Sequence, residues 1–330
     1  MEKHMSALMR VGLVPVLVIL VSCGGPKKNE GDGEDEPDVP EEVLDVEPED
    51  GDPVDDPLED PAEDVPADVV PDSYPDGWPA PCYEERMGIK NQVVRGVERV
   101  IFLGDSITAT PYLTPPWSDR IQDDLTGLFG SDLEFQNYAA WGAITDDILS
   151  DQLPRIDTTS TKRTLVMFTI GGNDALQVLG QDTTSSLSHM AAKVENVRSV
   201  LTWLYDASNV PGGVYVIFAN VYDPTDGEGD FTHCGFGAGL EDWPNCDEVA
   251  EAANGWYAEL AAEFGADMLD LHDLFAGHGY NNDDPTNPWY CNECTPCESG
   301  CPRWYDLTCI HPNSEGHEAL AGFFLCMVIG

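Results

Sequence analysis

RVIFLGDS, residues 99–106, places four apolar residues in a row and ends them at Gly104-Asp105-Ser106. A run with no polar alternation suits a strand buried on both faces, the situation inside a parallel sheet. The glycine and aspartate then end the strand as a turn. Four further stretches repeat the form: LEFQNYA (133–139), RTLVMFTIGGND (163–174), GGVYVIFANVYDP (212–224) and ADMLDL (266–271). Helical patterns lie between them, over 117–129, 144–153, 186–208 and 247–264, and a last one, NSEGHEALAGFFLCMVI, over 313–329. Strand and helix alternating at this spacing predict an α/β protein, with a parallel sheet covered by helices on both faces. In such sheets the functional groups gather where strands end at their carboxyl edge.

Outside this pattern the chain is different in kind. It opens with Lys3 and Arg10, followed by VGLVPVLVILV (11–21) and Ser22-Cys23. A basic start, a short apolar run and a small residue before the break read as a secretory signal over residues 1–22. The run is too short to span a bilayer, which takes about 20 apolar residues. Leu20-Val21-Ser22-Cys23 resembles a bacterial lipobox, which implies that Cys23 is lipidated and anchors an exported chain at an outer membrane or cell surface. Residues 23–80 then read as a spacer. GDGEDEPDVPEEVLDVEPEDGDPVDDPLEDPAEDVPADVVPD (31–72) is almost purely Asp, Glu, Pro, Gly and Val. It has too little apolar surface to offset the entropy of ordering, and its like charges keep it extended.

Residues 81–330 are long enough for one domain with a sizeable core. The chain's net charge of −46 argues against nucleic acid or an anionic membrane surface as a partner, leaving the lipid anchor as the membrane contact.

Four short blocks stand where the predicted strands end or the last helix begins. Ser106 leaves the first strand on a turn, where a nucleophile is exposed and backbone N–H groups lie close. Gly142 ends Asn137-Tyr138-Ala139-Ala140-Trp141-Gly142 and permits close approach of the backbone. In Gly171-Gly172-Asn173-Asp174, the Asn173 amide can donate to a developing oxyanion. His311-Pro312-Asn313 precedes the last helix, with Asn313 or Ser314 as its N-cap. Taken singly, each is compatible with an ordinary turn or cap.

Together, and in this order, GDSIT, NYAAWG, GGND and HPN resemble the blocks of the SGNH, or GDSL-type, hydrolase family across residues 99–327. The resemblance implies a flavodoxin-like, three-layer α/β/α fold and hydrolysis of esters with no metal or other cofactor. It implies that Ser106 is the nucleophile and His311 its general base. The Ser106 N–H, the Gly142 N–H and the Asn173 side chain would form the oxyanion hole. One departure stands out. The family places an aspartate three residues before the histidine, and here that residue is Thr308. Asp306, two residues further upstream, is the nearest acid. A looser turn could bring it to His311 Nδ1, or a backbone carbonyl could orient the ring instead.

CNECTPCESGCP (291–302) raises a separate question. Its spacing matches a bacterial iron–sulfur run, but the second run of such a pattern is missing. Cys294 and Cys297 with His311 and His317 approach a zinc-finger spacing, though that would consume His311. Disulfides suit an exported chain. The candidates are Cys82, Cys234, Cys246, Cys291, Cys294, Cys297, Cys301, Cys309 and Cys326, with Cys234 and Cys246 flanking one loop and able to pair. Residues 281–309 would then be a stapled insertion beside the site.

The expectation is a membrane-tethered serine esterase or acylhydrolase acting on small-molecule or glycan esters. An O-deacetylase of polysaccharide and a non-catalytic binding module on the same fold are the alternatives. Trp141 and the aromatic NPWY (287–290) could line an acyl or sugar pocket, or belong to the core.

Overall fold

The computed structural model describes residues 87–109, 114–231, 240, 242–281 and 303–330. The chain divides after Pro66 into two units, and every described residue lies in the second. The expected signal and spacer over residues 1–80, and residues 282–302 of the expected Cys-rich insertion, lie outside the described residues.

Among the described residues six strands form one sheet: β1 (Gly88–Ile89), β2 (Arg99–Gly104), β3 (Glu134–Asn137), β4 (Thr164–Thr169), β5 (Val214–Ala219) and β6 (Asp267–Leu269). Their order is β1-β6-β5-β4-β2-β3. All neighbours are parallel except the short edge strand β1, which runs antiparallel to β6. From β3 across to β6 the parallel strands follow the flavodoxin-like order, whose direction of progress reverses between β2 and β4. At that switch point Gly104 stands opposite Thr169, so both chains leave the sheet side by side.

The α-helices among the described residues are α1 (Trp117–Arg120), α2 (Gln122–Phe129), α3 (Thr145–Asp147), α4 (Gly172–Leu176), α5 (Thr183–Tyr205), α6 (Cys246–Phe264), α7 (Leu271–Phe275) and α8 (Ser314–Ile329). They cover the sheet in two layers. On one face Val100, Phe102, Leu165 and Met167 meet Trp117, Ile121 and Leu125 of the α1–α2 segment and Leu320 and Phe324 of α8. Trp117 stacks on Phe324 with centroids 3.9 Å apart and meets Phe102 edge-on at 5.4 Å. On the other face Ile101, Leu103, Val166 and Phe168 meet Val197 and Leu201 of α5 and Tyr257 and Leu260 of α6. The continuous apolar strands thus divide their side chains by the two-residue period of the pleat, half to each layer.

Where the expected helices differ, the cause is local. The 117–129 helix is interrupted at Ile121. The expected 144–153 helix becomes α3, a π-helical turn (Ile148–Gln152) and a 3₁₀ turn (Leu153–Arg155). Pro154 has no N–H to continue an α-helical ladder, and the Leu153 N–H reaches back five residues to the Ile148 carbonyl. Asp182 starts α5 by accepting from the Ser185 N–H at 3.0 Å, three residues ahead of the expected start.

The proposed pairing of Cys234 with Cys246 does not hold, because Cys246 is a free, buried cysteine. It opens α6 with its sulfur turned into the domain, 3.6 Å from Asp223 Oδ2 and 3.8 Å from Thr225 Oγ1. A Cβ on Gly229 would come within 3.1 Å of the sulfur, so the fold closes tightly over it. Cys309 and Cys326 are buried in the core. Cys23, Cys82, Cys234, Cys291, Cys294, Cys297 and Cys301 lie outside the described residues.

Candidate active site

The turn that carries Ser106 begins where β2 runs out. Gly104 has φ +115°, and a Cβ there would lie 2.0 Å from the Thr169 carbonyl oxygen, so only glycine lets the chain bend across β4. Gln152, delivered from beneath by the π-helical turn, saturates that peptide. Its Oε1 accepts from Gly104 N and its Nε2 donates to Gly104 O, both at 2.8 Å. Asp105 is buried and accepts from the Ile107 N–H and the Thr169 hydroxyl, each at 3.0 Å. Burial raises its carboxyl from an ordinary 3.8 to about 7, against those two hydrogen bonds, which pull it down. The turn is therefore held on both sides, and Ser106 projects from a fixed base.

Ser106 Oγ lies 2.8 Å from His311 Nε2. The histidine comes from the other end of the chain, on the loop before α8. Several bonds close that loop on itself: Tyr305 bridges Pro312, the Asp306 N–H donates to the His311 carbonyl at 2.9 Å, and the Asn313 N–H to Trp304 O at 2.7 Å. The Tyr222 hydroxyl donates to the Ile310 carbonyl at 2.6 Å, fixing the loop to the segment after β5. Cys309, at φ +73°, turns the chain between Thr308 and His311.

Asp306 does not reach the histidine directly. Thr308 Oγ1 lies 2.8 Å from His311 Nδ1, and the same hydroxyl meets Asp306 Oδ1 at 2.5 Å. The sequence placed the acid in doubt but overlooked the hydroxyl. The signal was the Asp-x-Thr pattern, in which a short polar side chain folds back on the backbone two residues on; here the Thr308 N–H donates to Asp306 Oδ1 at 2.8 Å. Burial pulls the His311 ring below its ordinary 6.5, while the charge of Asp306 pushes it up. Of the residues in the zinc-like spacing, His311 faces Ser106 and Thr308 with its two ring nitrogens and His317 Nδ1 accepts from the Trp117 N–H at 3.3 Å, while Cys294 and Cys297 lie outside the described residues.

Gly142 and Asn173 are brought to one edge by two clamps. Asn173 Nδ2 donates to Ala143 O at 2.9 Å, leaving its second N–H uncommitted by that bond. Buried Asp174 accepts from the Thr145 N–H and hydroxyl, each at 3.0 Å. Gly142 itself stands at φ +73°, between Trp141 and Ala143. Trp141 is 52% exposed and its ring centroid lies 5.4 Å from that of His311. It therefore sits at the rim above the histidine rather than in the core, and NPWY lies outside the described residues.

From Ser106, Asn173 and His311 an apolar cavity of about 100 Å³ runs inward between α4, α5 and α6. Leu176, Leu179, Met190, Trp243, Val249 and Ala253 are among the apolar residues that line it. No sequence pattern pointed to it, since its walls are supplied by helices that meet only in three dimensions.

The family model described as "GDSL-like Lipase/Acylhydrolase family" matches residues 102–319. No curated protein sequence matches the chain. Among solved structures, it is similar to a phospholipase A1 from Streptomyces albidoflavus at 18% identity and TM-score 0.43, covering 70% of this chain and 98% of that one. A lipase/acylhydrolase from Enterococcus faecalis aligns at 15% identity and TM-score 0.46, over 71% and 96%. An acetylxylan esterase from Geobacillus stearothermophilus aligns at 15% and 0.45, over 74% and 96%. The family model covers well over half of the chain and spans all four blocks, from the end of β2 to the start of α8. The chain belongs to the GDSL-like lipase/acylhydrolase family and is an ester-hydrolysing enzyme.

Proposed function

We propose that the enzyme is a serine esterase working through an acyl-enzyme, with Ser106 as nucleophile and His311 as general base. The observation that carries this reading is the 2.8 Å contact of Ser106 Oγ with His311 Nε2 at the mouth of an apolar cavity. Ser106 Oγ attacks the ester carbonyl as its proton passes to Nε2. The tetrahedral oxygen takes its negative charge beside the Ser106 and Gly142 N–H groups and the free N–H of Asn173. A fixed donor of this kind is typically worth about 10²–10³ in rate. The imidazolium then protonates the leaving alcohol, and water repeats the sequence to release the acid.

The cavity favours an acyl group of several carbons over acetate. Each methylene moved from water into an apolar site contributes about 0.8 kcal/mol, roughly fourfold in rate where the transition state keeps the contact. An O-deacetylase needs no such space. In the same reading Cys23 carries the lipid anchor and the acidic spacer holds the domain off an outer membrane or cell surface, a proposal that rests on the lipobox-like sequence. Loss of palmitate incorporation in Cys23→Ala tests it. The catalytic reading is tested by p-nitrophenyl esters from acetate to octanoate on wild type and Ser106→Ala. Turnover should rise with chain length beyond acetate and fall by several orders of magnitude in the variant. A preference for acetate would overturn the chain-length reading.

A further inference from the structure

Thr308 occupies the place where the family has an acid, and the structure gives it a job a plain loop threonine would not have. Its hydroxyl touches two groups at once, His311 Nδ1 at 2.8 Å and Asp306 Oδ1 at 2.5 Å. A threonine hydroxyl has one hydrogen to give and lone pairs to receive. An ionised carboxylate can only accept, so that hydrogen belongs to the Asp306 contact. At the His311 contact the hydroxyl must then accept, which puts a hydrogen on Nδ1. A neutral ring protonated at Nδ1 has its lone pair on Nε2, the nitrogen facing Ser106. The donor count alone thus selects the tautomer that can take the serine's proton.

We propose that Thr308 is a positioning residue, a hydroxyl relay through which Asp306 orients His311 and stabilises it as it gains charge. This rests on the assignment of Ser106 and His311 above. When Ser106 Oγ bonds to the carbonyl carbon, its proton moves to Nε2 and the ring becomes an imidazolium. The Nδ1 proton stays on the ring and the Thr308 proton stays on oxygen. Both hydrogen bonds strengthen, because the positive ring pulls on the Thr308 oxygen and polarises its O–H toward the carboxylate. No proton reaches Asp306. The charge acts at one remove, and the device replaces the direct carboxylate contact of a Ser-His-Asp triad.

The loop is built for this spacing. Asp306 Oδ1 also accepts from the Thr308 N–H at 2.8 Å, and the Cys309 N–H donates to Asp306 O at 3.1 Å. The left-handed turn at Cys309 then carries the chain around to His311. Asp306 is held by backbone two residues from Thr308, too tightly curled to present its own oxygen to the ring.

The test is a set of rates with p-nitrophenyl butyrate at pH 8, where a ring held below 6.5 is neutral. Thr308→Val keeps the shape and removes the hydroxyl. It should lower kcat about 10–10²-fold, less than the roughly 10⁴ known when a direct triad acid is neutralised, with KM within about threefold. Thr308→Ser should restore kcat to within about threefold. Asp306→Asn should lower kcat with Thr308 present and have no further effect on Thr308→Val, because residues acting in series are not additive. Wild-type kcat in Thr308→Val, or independent multiplication of the two losses, would overturn the relay. If Thr308→Val does not fold, Asp306→Asn alone decides: unchanged kcat refutes the relay and lowered kcat with unchanged KM supports it. Failure of the relay is separable from failure of the underlying mechanism, since the latter would appear as an active Ser106→Ala.

Discussion

Replacing Asp105 by Asn should stabilise the domain, and by an amount that grows with pH. Asp105 is buried beneath the turn that carries Ser106, and burial raises its carboxyl to about 7 from 3.8. A group raised in the fold contributes stability that is intact below its unfolded value and lost as pH rises through its folded value. Between 3.8 and 7 the unfolded chain gives up this proton and the folded one keeps it. The loss relative to a neutral side chain is about 2 kcal/mol at pH 5 and about 4 kcal/mol at pH 8. Asn keeps an oxygen to accept from Ile107 N–H and the Thr169 hydroxyl, the two bonds that hold the turn. It carries no proton to lose. The stability difference between Asp105→Asn and wild type should therefore widen by roughly 2–3 kcal/mol from pH 5 to pH 8. For a domain of this size that is roughly 5–10 °C in Tm. Paired thermal melts at the two pH values measure it. A difference that is constant across pH, or that shrinks toward pH 8, would refute the burial argument.

Two further outcomes follow from the site. Because burial holds His311 below 6.5 and it must be neutral to accept the Ser106 proton, kcat/KM should fall on the acid side with a midpoint under 6.5. Asp306 is the charge that pushes the ring up, so Asp306→Asn should move that midpoint lower still; a shift upward contradicts the assignment. Ala250→Phe on α6 should fill part of the cavity and cut the butyrate-to-acetate ratio of kcat/KM by roughly tenfold, the worth of one to two methylenes. An unchanged ratio would show that the acyl chain lies elsewhere.

The centre of the sheet was legible because β2, β4 and β5 are nearly continuous apolar runs, and a chain buried on both faces has little room for polar alternation. The short pieces were not. β1 has two residues and α4 and α7 five each, too few for a period to declare itself. The π-helical turn was hidden because an i→i−5 bond leaves no mark on composition, although Pro154 signalled trouble in that helix. At the site, Ser106 and His311 were readable from their blocks and meet at hydrogen-bonding distance. Thr308 was read as a missing acid rather than a hydroxyl with its own chemistry. Its role depends on a loop curled by Cys309 in the left-handed region, a conformation that a non-glycine residue does not advertise. Cys246 misled for a related reason: flanking a loop in sequence says nothing about whether the sulfur faces the loop or the core.

Intact-mass analysis after treatment with a fluorophosphonate tests whether Ser106 is the nucleophile. One adduct per chain is expected, located on Ser106 by peptide mapping and formed in step with loss of butyrate ester turnover. In Ser106→Ala the adduct should be absent and turnover lower by several orders of magnitude. An adduct on another residue, or a Ser106→Ala protein that still hydrolyses the ester at the wild-type rate, would contradict that role.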